Sequence, residues 1–135
     1  MPRLSKSDYT ALSAFRKELR LFLRFSEQGA RSVGITPQQH QVLLVIKGQA
    51  KKDWASIVEL ATAMQLRHNT LVELVDRCVK ADLVRREPSP EDRRMVRVFL
   101  TDHGEELLSK LSVKNLTELQ KLREKFSELI SPSDQ

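Results

Sequence analysis

Apolar residues recur three or four positions apart along most of the chain, with polar residues between them. That spacing places the apolar side chains on one side of an α-helix, so each such segment predicts an amphipathic helix. Five segments have it, at about 8–28, 36–48, 57–64, 68–81 and 102–130. The first is expected to open at Ser7 and Asp8 and to fade near Gly29, and a phase change near residues 112–114 predicts a bend in the last.

Helix start signals support three of these boundaries. Thr36 can cap the second helix, Pro37 suits its first position, and Gln39 completes a capping box. Ser56 and Thr101 are predicted N-caps of the third and fifth helices, because their hydroxyls can accept from free N–H groups.

Between the fourth and fifth helices the apolar pattern changes to alternation. Val96, Val98 and Leu100 share one parity, and two strands are predicted at about 83–87 and 95–100, joined by a tip rich in charge and proline. Two closely spaced helices followed by a two-stranded hairpin are the element order of a winged helix-turn-helix. The predicted fold class is therefore mainly α with a small antiparallel β wing.

Composition and charge add a class of partner to this fold. The 135 residues are 40% hydrophobic and 30% charged, which suits one folded domain. A net charge of +5 and a pI of about 9.6 favour a polyanion, either nucleic acid or an anionic membrane surface. No apolar run approaches the roughly 20 residues of a membrane span, and the first ten residues lack the apolar core of a signal peptide. We therefore expect a cytoplasmic protein without a membrane partner.

The charges at the hairpin tip can do little for fold stability, which raises the question of their use. An arginine at such a tip can reach into the narrow, electronegative minor groove of DNA. Asp92 is placed to hold Arg94, and Pro88 and Pro90 stiffen the approach by fixing φ. The alternative is a solvated turn, since charges at hairpin tips are common.

Four stretches of the sequence resemble one family of regulators. They are ITPQQHQVLLVI, SIVELATAM, NTLVELVDRCVKADLV and PEDRRMVRVFLTDHGEELL. Through LVDR, the DRR of the wing, and a glycine three residues after the Thr of LT, the chain from about 36 to 104 resembles the multiple antibiotic resistance regulator (MarR) family. The resemblance implies one domain, residues 1–135, with a DNA-binding lobe at about 36–100 and dimerisation helices at about 8–28 and 102–130.

The resemblance also implies that the helix at 68–81 is the recognition helix. Its residues expected to face DNA are Arg67, His68, Asn69, Thr70, Glu73 and Arg77. Asn69 and Thr70 can hydrogen-bond to base edges or phosphates. Glu73 could accept from cytosine or orient Arg77, although the family often has a neutral or basic residue there. Arg77 either lies near phosphate or pairs with Glu73 four residues earlier.

Further DNA contacts are implied on both sides of this helix. Ser56 would bring a helix N-terminus to a phosphate, or act as an N-cap alone. Arg94 would enter the minor groove with Asp92 as its brace, and Arg93 would lie near the DNA backbone. Asp82 ends the recognition helix where the family commonly has glycine, and aspartate tolerates the left-handed conformation better than most residues.

The stripes on the first and last helices predict self-association. They have no partner surface within a monomer of this size, so we expect a homodimer with recognition helices about 34 Å apart on a pseudo-palindromic operator. The implied role is a sequence-specific transcriptional regulator, with repression the expected sign. Residues 131–135 resemble the capped start of a further helix.

Other chemistry finds little support in the sequence. Cys78 falls on the apolar stripe of the recognition helix, which favours a buried thiol over a redox switch. The three histidines are scattered and no nucleophile has a plausible base, so no metal, cofactor or catalytic site is predicted.

Two alternatives and one ligand stay open. A winged helix could serve as a protein-interaction module without operator binding, or as a redox or metal sensor on the same scaffold. The resemblance also implies a small aromatic or anionic effector between the dimer helices and the DNA lobe. Its carboxylate could meet Arg16, Arg20, Arg24 or His40.

Overall fold

The computed structural model describes residues 2–130, except the side chain of Ile130, and contains five helices and three strands in that range. In chain order they are α1 (Lys6–Ser32), α2 (Pro37–Lys47), β1 (Trp54–Ser56), α3 (Ile57–Met64), α4 (His68–Lys80), β2 (Val84–Pro88), β3 (Val96–Leu100) and α5 (Asp102–Ile130). This is the predicted winged helix-turn-helix. No helix of the described range is long and apolar enough to cross a membrane. The further helix suggested for 131–135 lies outside the described residues.

The first helix extends beyond both predicted ends. Its N-cap is Ser5, whose hydroxyl accepts from the Asp8 amide at 3.2 Å while the Asp8 carboxylate accepts from the Ser5 amide at 2.8 Å. The helix continues through Gly29, where an added Cβ would lie 3.6 Å from Leu111 Cδ2 of α5. Tertiary packing against α5 thus outweighs the helix cost of glycine, and the prediction that α1 fades there was wrong.

The sheet has one strand more than the predicted hairpin. All three strands are antiparallel in the order β1-β3-β2, and β1 pairs with β3 through Trp54 and Phe99 at one end and Ser56 and Arg97 at the other. A three-residue strand is too short to show alternation, so the pattern could not reveal it. The strand fixes the start of α3 beside the base of the wing.

The core lies between the sheet and helices α2, α3 and α4. Its largest fully buried side chains are Leu43, Ile46, Leu60, Leu71 and Leu83. The predicted apolar stripe of α4 is confirmed, since all its residues lie in this core: Leu71, Leu74, Val75 and Cys78. One side of α4 is therefore fixed by packing, and the opposite side faces outward.

A tight junction joins α4, the wing and α5. Asp82 takes the left-handed conformation, with φ of 58°, as predicted. The Thr101 amide donates to Leu83 O at 3.0 Å and its hydroxyl donates to Asp82 O at 2.6 Å, while the Gly104 amide donates to that hydroxyl at 3.0 Å. Thr101 thus caps α5, as predicted, and anchors it to the end of α4.

Helices α1 and α5 pack together and leave apolar residues uncovered. Phe15 and Phe126 have ring centroids 4.5 Å apart, and Lys125 pairs with a glutamate of α1 at 3.1 Å. Leu12 is 57% exposed and Leu116 56%. The last helix continues without a break through residues 112–114, and the bend expected there remains a prediction. Its apolar residues before that point lie in the core, whereas those just after it are exposed.

Candidate nucleic-acid interface

The outward side of α4 carries the side chains predicted to read DNA. His68, Asn69, Thr70, Glu73 and Arg77 are all exposed. Residues 69 and 73 are one helical turn apart and point the same way, directly opposite the buried stripe. A rigid helix therefore presents hydrogen-bonding groups away from the body of the protein.

The beginning of α4 is suited to an anion. Arg67 is the N-cap and its side chain makes no cap hydrogen bond, so the first amides of the helix keep free N–H groups. The first turn contains no acidic residue. Free donors, the positive end of the helix dipole and a flanking arginine all favour phosphate.

The side of α4 that faces the wing is held by an ion pair. Arg86 Nη1 of β2 lies 2.5 Å from Asp76 Oδ1. The pair ties the recognition helix to the wing and neutralises one of the two carboxylates on α4. The ion pairs among the described residues do not include the one considered between Glu73 and Arg77, so both side chains remain directed to solvent.

The wing tip holds an arginine that is braced yet exposed. Arg94 Nε lies 3.2 Å from Asp92 Oδ1, and the Arg94 amide donates to the same oxygen at 3.0 Å. Hydrogen bonds from Arg94 lower the pKa of the Asp92 carboxyl, so the brace stays charged in neutral solution. The Arg94 side chain is still 92% exposed. The predicted contact between Asp92 and Arg94 is therefore confirmed, and the neighbouring Arg93 is also exposed.

The tip is fixed to its strands by a buried serine that the sequence reading missed. Ser89 is 2% exposed, its amide donates to Met95 O at 2.9 Å, and its hydroxyl accepts from the Glu91 amide at 3.3 Å. A third bond runs from the Met95 amide to Asp92 O at 2.9 Å. The only hint in the sequence is a small polar residue between two prolines. Because of these bonds the tip has a defined shape.

The base of the wing is stiffened by Trp54, which the sequence reading also missed. Lys52 Nζ lies 3.8 Å from the centre of its ring and Arg97 Cζ lies 4.3 Å from it. Arg97 also donates to Glu91 at 3.4 Å. The cation–π contact of Arg97 thus joins β3 to β1, and its hydrogen bond to Glu91 extends this link to the tip. Lys52 is two positions from Trp54, but no sequence signal relates Arg97 to them, since only the sheet register brings it there.

Ser56 lies in the same area, but its amide and hydroxyl are already used in hydrogen bonds within the protein. It is buried, its hydroxyl accepts from the Glu59 amide at 3.0 Å, and its own amide donates to Glu59 Oε1 at 2.9 Å. Lys52 holds both oxygens of Glu59 at 2.8 Å, and these bonds lower the pKa of that carboxyl. The N-cap prediction is confirmed. A phosphate here could reach the amides of Ile57 and Val58, which a helix leaves free.

These elements enclose one groove of about 850 Å³ between the wing, β1, α3 and the start of α4. Of the predicted DNA-contacting residues, Ser56, His68, Asp92 and Arg94 line it. The other predicted residues lie around it, on the outward side of α4 and at the wing tip. The groove therefore brings together four of the predicted residues, from the N-cap of α3, from α4 and from the wing.

The residues considered for redox chemistry, metal binding or effector binding lie in surroundings that do not favour those roles. Burial raises the pKa of the Cys78 thiol to about 12, so the reactive thiolate is scarce. Within residues 2–130, no three His, Cys, Asp or Glu side chains converge as metal binding requires. His40 borders a small cavity of about 250 Å³ between α1 and α2, and burial lowers its pKa. It is neutral at pH 7 and would not attract a carboxylate by charge, whereas Arg16, Arg20 and Arg24 are exposed.

Sequence comparison finds that this part of the chain is similar to one family. A model described as MarR family matches residues 33–95, from the end of α1 to the wing. The uncharacterized HTH-type transcriptional regulator YsmB of Bacillus subtilis is 36% identical over 73 residues, 54% of this chain and 50% of YsmB. The chain thus spans about half the length of this curated relative.

Solved structures agree over nearly the whole chain. AbsC, a MarR family transcriptional regulator from Streptomyces coelicolor, has a TM-score of 0.74 at 25% identity, covering 99% of this chain and 88% of AbsC. A cysteine-to-serine mutant of MarR from E. coli, complexed with operator DNA, has a TM-score of 0.66 at 22% identity, covering 98% and 91%. The family model, the likeness to AbsC and the recognition-helix and wing geometry lead to one conclusion: this chain is similar to MarR family regulators, through their family model over residues 33–95 and through their fold over nearly its whole length.

Proposed function

We propose that this protein is a transcriptional regulator that binds duplex DNA as a homodimer, with α4 in the major groove and the wing tip in the minor groove. The observation that carries the proposal is Arg94, which is almost fully exposed yet held by Asp92. An arginine aimed in this way loses less rotamer entropy on binding than a free one. The E. coli MarR mutant complexed with operator DNA has the same fold, which supports this use of the scaffold.

The proposed contacts divide by role. Asn69, Thr70 and Glu73 face base edges. Arg67, His68, Arg77 and Arg93 lie near phosphates, and the amides at the start of α3, capped by Ser56, approach another phosphate. Arg94 enters the minor groove. Binding through several phosphates releases counterions, so affinity should fall steeply as salt rises.

Dimerisation is proposed through α1 and α5. Leu12 and Leu116 belong to an exposed apolar set on these two helices that also includes Tyr9 and Leu119. Covering such residues with a second copy removes apolar surface from water. A two-fold dimer with the two α4 helices about 34 Å apart would match successive major grooves on one side of the duplex. The lobe at 36–100 would then bind DNA, and the helices at 8–28 and 102–130 would set its spacing.

The proposed consequence is repression by occupation of a pseudo-palindromic operator. A small aromatic or anionic effector could release the protein. A redox switch is disfavoured, because the lone thiol is buried and protonated. The runner-up is a protein-interaction module that keeps the fold without operator selectivity.

The test is a gel-shift titration at fixed salt on fragments selected from genomic DNA by the parent protein. Arg94→Ala should weaken binding about tenfold or more, the cost of one groove-directed arginine. Arg123→Ala, an exposed arginine on α5, is the matched control and should bind like the parent. Parent-like binding by the Arg94 variant would overturn the wing contact. Equal affinity of the parent for random and selected DNA would favour the interaction module.

A further inference from the structure

Glu73 is an acidic residue at the centre of a surface that the proposed function places against a polyanion. It is exposed on the outward side of α4, one turn after Asn69. The other carboxylate of this helix, Asp76, is neutralised by Arg86, whereas the ion pairs of the described residues do not include Glu73. Its charge is therefore uncompensated within the described part of the chain.

An uncompensated carboxylate weakens binding to any phosphate backbone. It has only acceptor oxygens, so in the major groove it can bind only the exocyclic amines of the bases. Of these, N4 of cytosine suits a carboxylate, because the cytosine edge offers that donor and the carboxylate needs none in return. Adenine offers an acceptor, N7, beside its amine, and this acceptor would lie against the carboxylate unpaired.

We propose that Glu73 is a specificity-determining residue that accepts a hydrogen bond from N4 of one cytosine in each operator half-site. This proposal rests on the proposed function. The charge discriminates in two ways: it stabilises the complex where the amine is present, and it repels every site where the amine is absent. Specificity arises here as much from weaker binding to wrong DNA as from tighter binding to the operator.

The helix also limits where the cytosine can lie. Residues 69 and 73 are about 6 Å apart along the helix axis, and base pairs rise by about 3.4 Å. The bases read by Asn69 and Glu73 should thus lie within about two steps of each other. An amide side chain suits adenine, so an adenine near the cytosine is expected.

Selection from a random duplex pool, followed by sequencing, tests the proposal with four proteins: the parent, Glu73→Gln, Glu73→Ala and the control Glu124→Gln. Glu124 is an exposed acid on α5 outside the apolar set proposed for the dimer contact, so its variant removes the same charge away from the DNA lobe, and sedimentation should show it to be as dimeric as the parent. The parent and the control should select one invariant cytosine in each half-site. Glu73→Gln should prefer adenine there, and Glu73→Ala should show no preference at that position alone.

Affinity measurements give a second test, because two affinities should change in opposite directions. Replacing the cytosine should weaken the parent about tenfold and leave Glu73→Ala unaffected, while Glu73→Ala should bind random DNA more tightly than the parent. A parent consensus that both Glu73 variants reproduce at every position would overturn this inference and leave the proposed function intact. A parent that selects no consensus would overturn the proposed function, and the reading of cytosine with it.

Discussion

Gly104 offers a direct test of the junction between the wing and α5. An ideal Cβ at this position would lie 2.1 Å from Leu83 O and 3.1 Å from Leu83 C. Both atoms belong to the backbone, so no side-chain rotation can relieve the overlap. We predict that Gly104→Ala destabilises the protein substantially, although alanine is the better helix former.

The magnitude follows from the contacts at risk. Leu83 O must move by about 0.9 Å before the added Cβ reaches 3.0 Å, the shortest contact that proteins tolerate. Such a shift breaks or weakens the bond from the Thr101 amide to Leu83 O, worth about 1 kcal/mol. Overpacking strain adds roughly 2 kcal/mol, so the expected total is about 3 kcal/mol. With an unfolding entropy of about 0.28 kcal/mol/K for 135 residues, Tm should fall by about 10 °C.

Gly29→Ala is the matched control, because the added Cβ there makes an ordinary contact with one side chain and overlaps no backbone atom. Its Cβ would lie at an ordinary 3.6 Å from Leu111 Cδ2, within a helix interior where alanine is favoured by about 1 kcal/mol. Tm should rise by about 4 °C. Circular dichroism melts at one fixed protein concentration measure both variants, since self-association makes Tm concentration-dependent. If Gly104→Ala melts within 2 °C of the parent, the close approach of α5 to Leu83 is refuted.

Four further outcomes test other parts of the structure. Asp92→Asn should keep the parent Tm but weaken operator binding, because Arg94 loses its charged brace. Since the pKa of Asp92 is lowered, the brace is present at neutral pH and is lost only as the pH falls through that lowered pKa. A loss of parent binding between pH 8 and pH 5 that is absent from Asp92→Asn would contradict this. Cys78 should react with a thiol reagent at pH 8 only after denaturation, because its pKa of about 12 leaves little thiolate, and fast labelling of the native protein would show that the thiol is accessible. Leu116→Glu should shift the sedimenting species from dimer to monomer, and an unchanged dimer would place the interface elsewhere. Ser56→Ala should cost about 1 kcal/mol in urea denaturation through loss of the α3 cap, whereas an unchanged midpoint would mean that the hydroxyl contributes nothing.

The sequence predicted what depends on local chemistry. Thr36 and Ser56 were identified as caps because a capping residue acts within three positions of itself. The stripe of α4 followed from its period, and the brace between Asp92 and Arg94 followed from a separation of two residues. Each of these features is specified by neighbours along the chain.

What the sequence left out depends on distant contacts. The Arg97 guanidinium lies on the Trp54 ring because the register of β1 with β3 brings together residues that are 43 positions apart in the chain. The continuation of α1 through Gly29 depends on α5, and the pairing of Asp76 with Arg86 depends on how the wing folds back on α4. Spacing along the chain contains no information about any of these, because the fold alone creates the proximity.

The glycine three residues after Thr101 shows how one motif can combine both kinds of cause. Thr101 is the only residue between β3 and α5, and its hydroxyl and amide donate to the carbonyls of Asp82 and Leu83, which lie between α4 and β2. For α5 to begin there, its first turn must pass against the Leu83 carbonyl, and only a residue without a Cβ fits. The wing, the recognition helix and α5 thus meet at one junction, where these contacts restrict their relative orientation. If two copies associate through α1 and α5, the spacing of their recognition helices is set at this junction. A substitution at Gly104 that still folds should therefore weaken binding to a two-site operator more than binding to an isolated half-site, and equal weakening of both would mean that the junction serves stability alone.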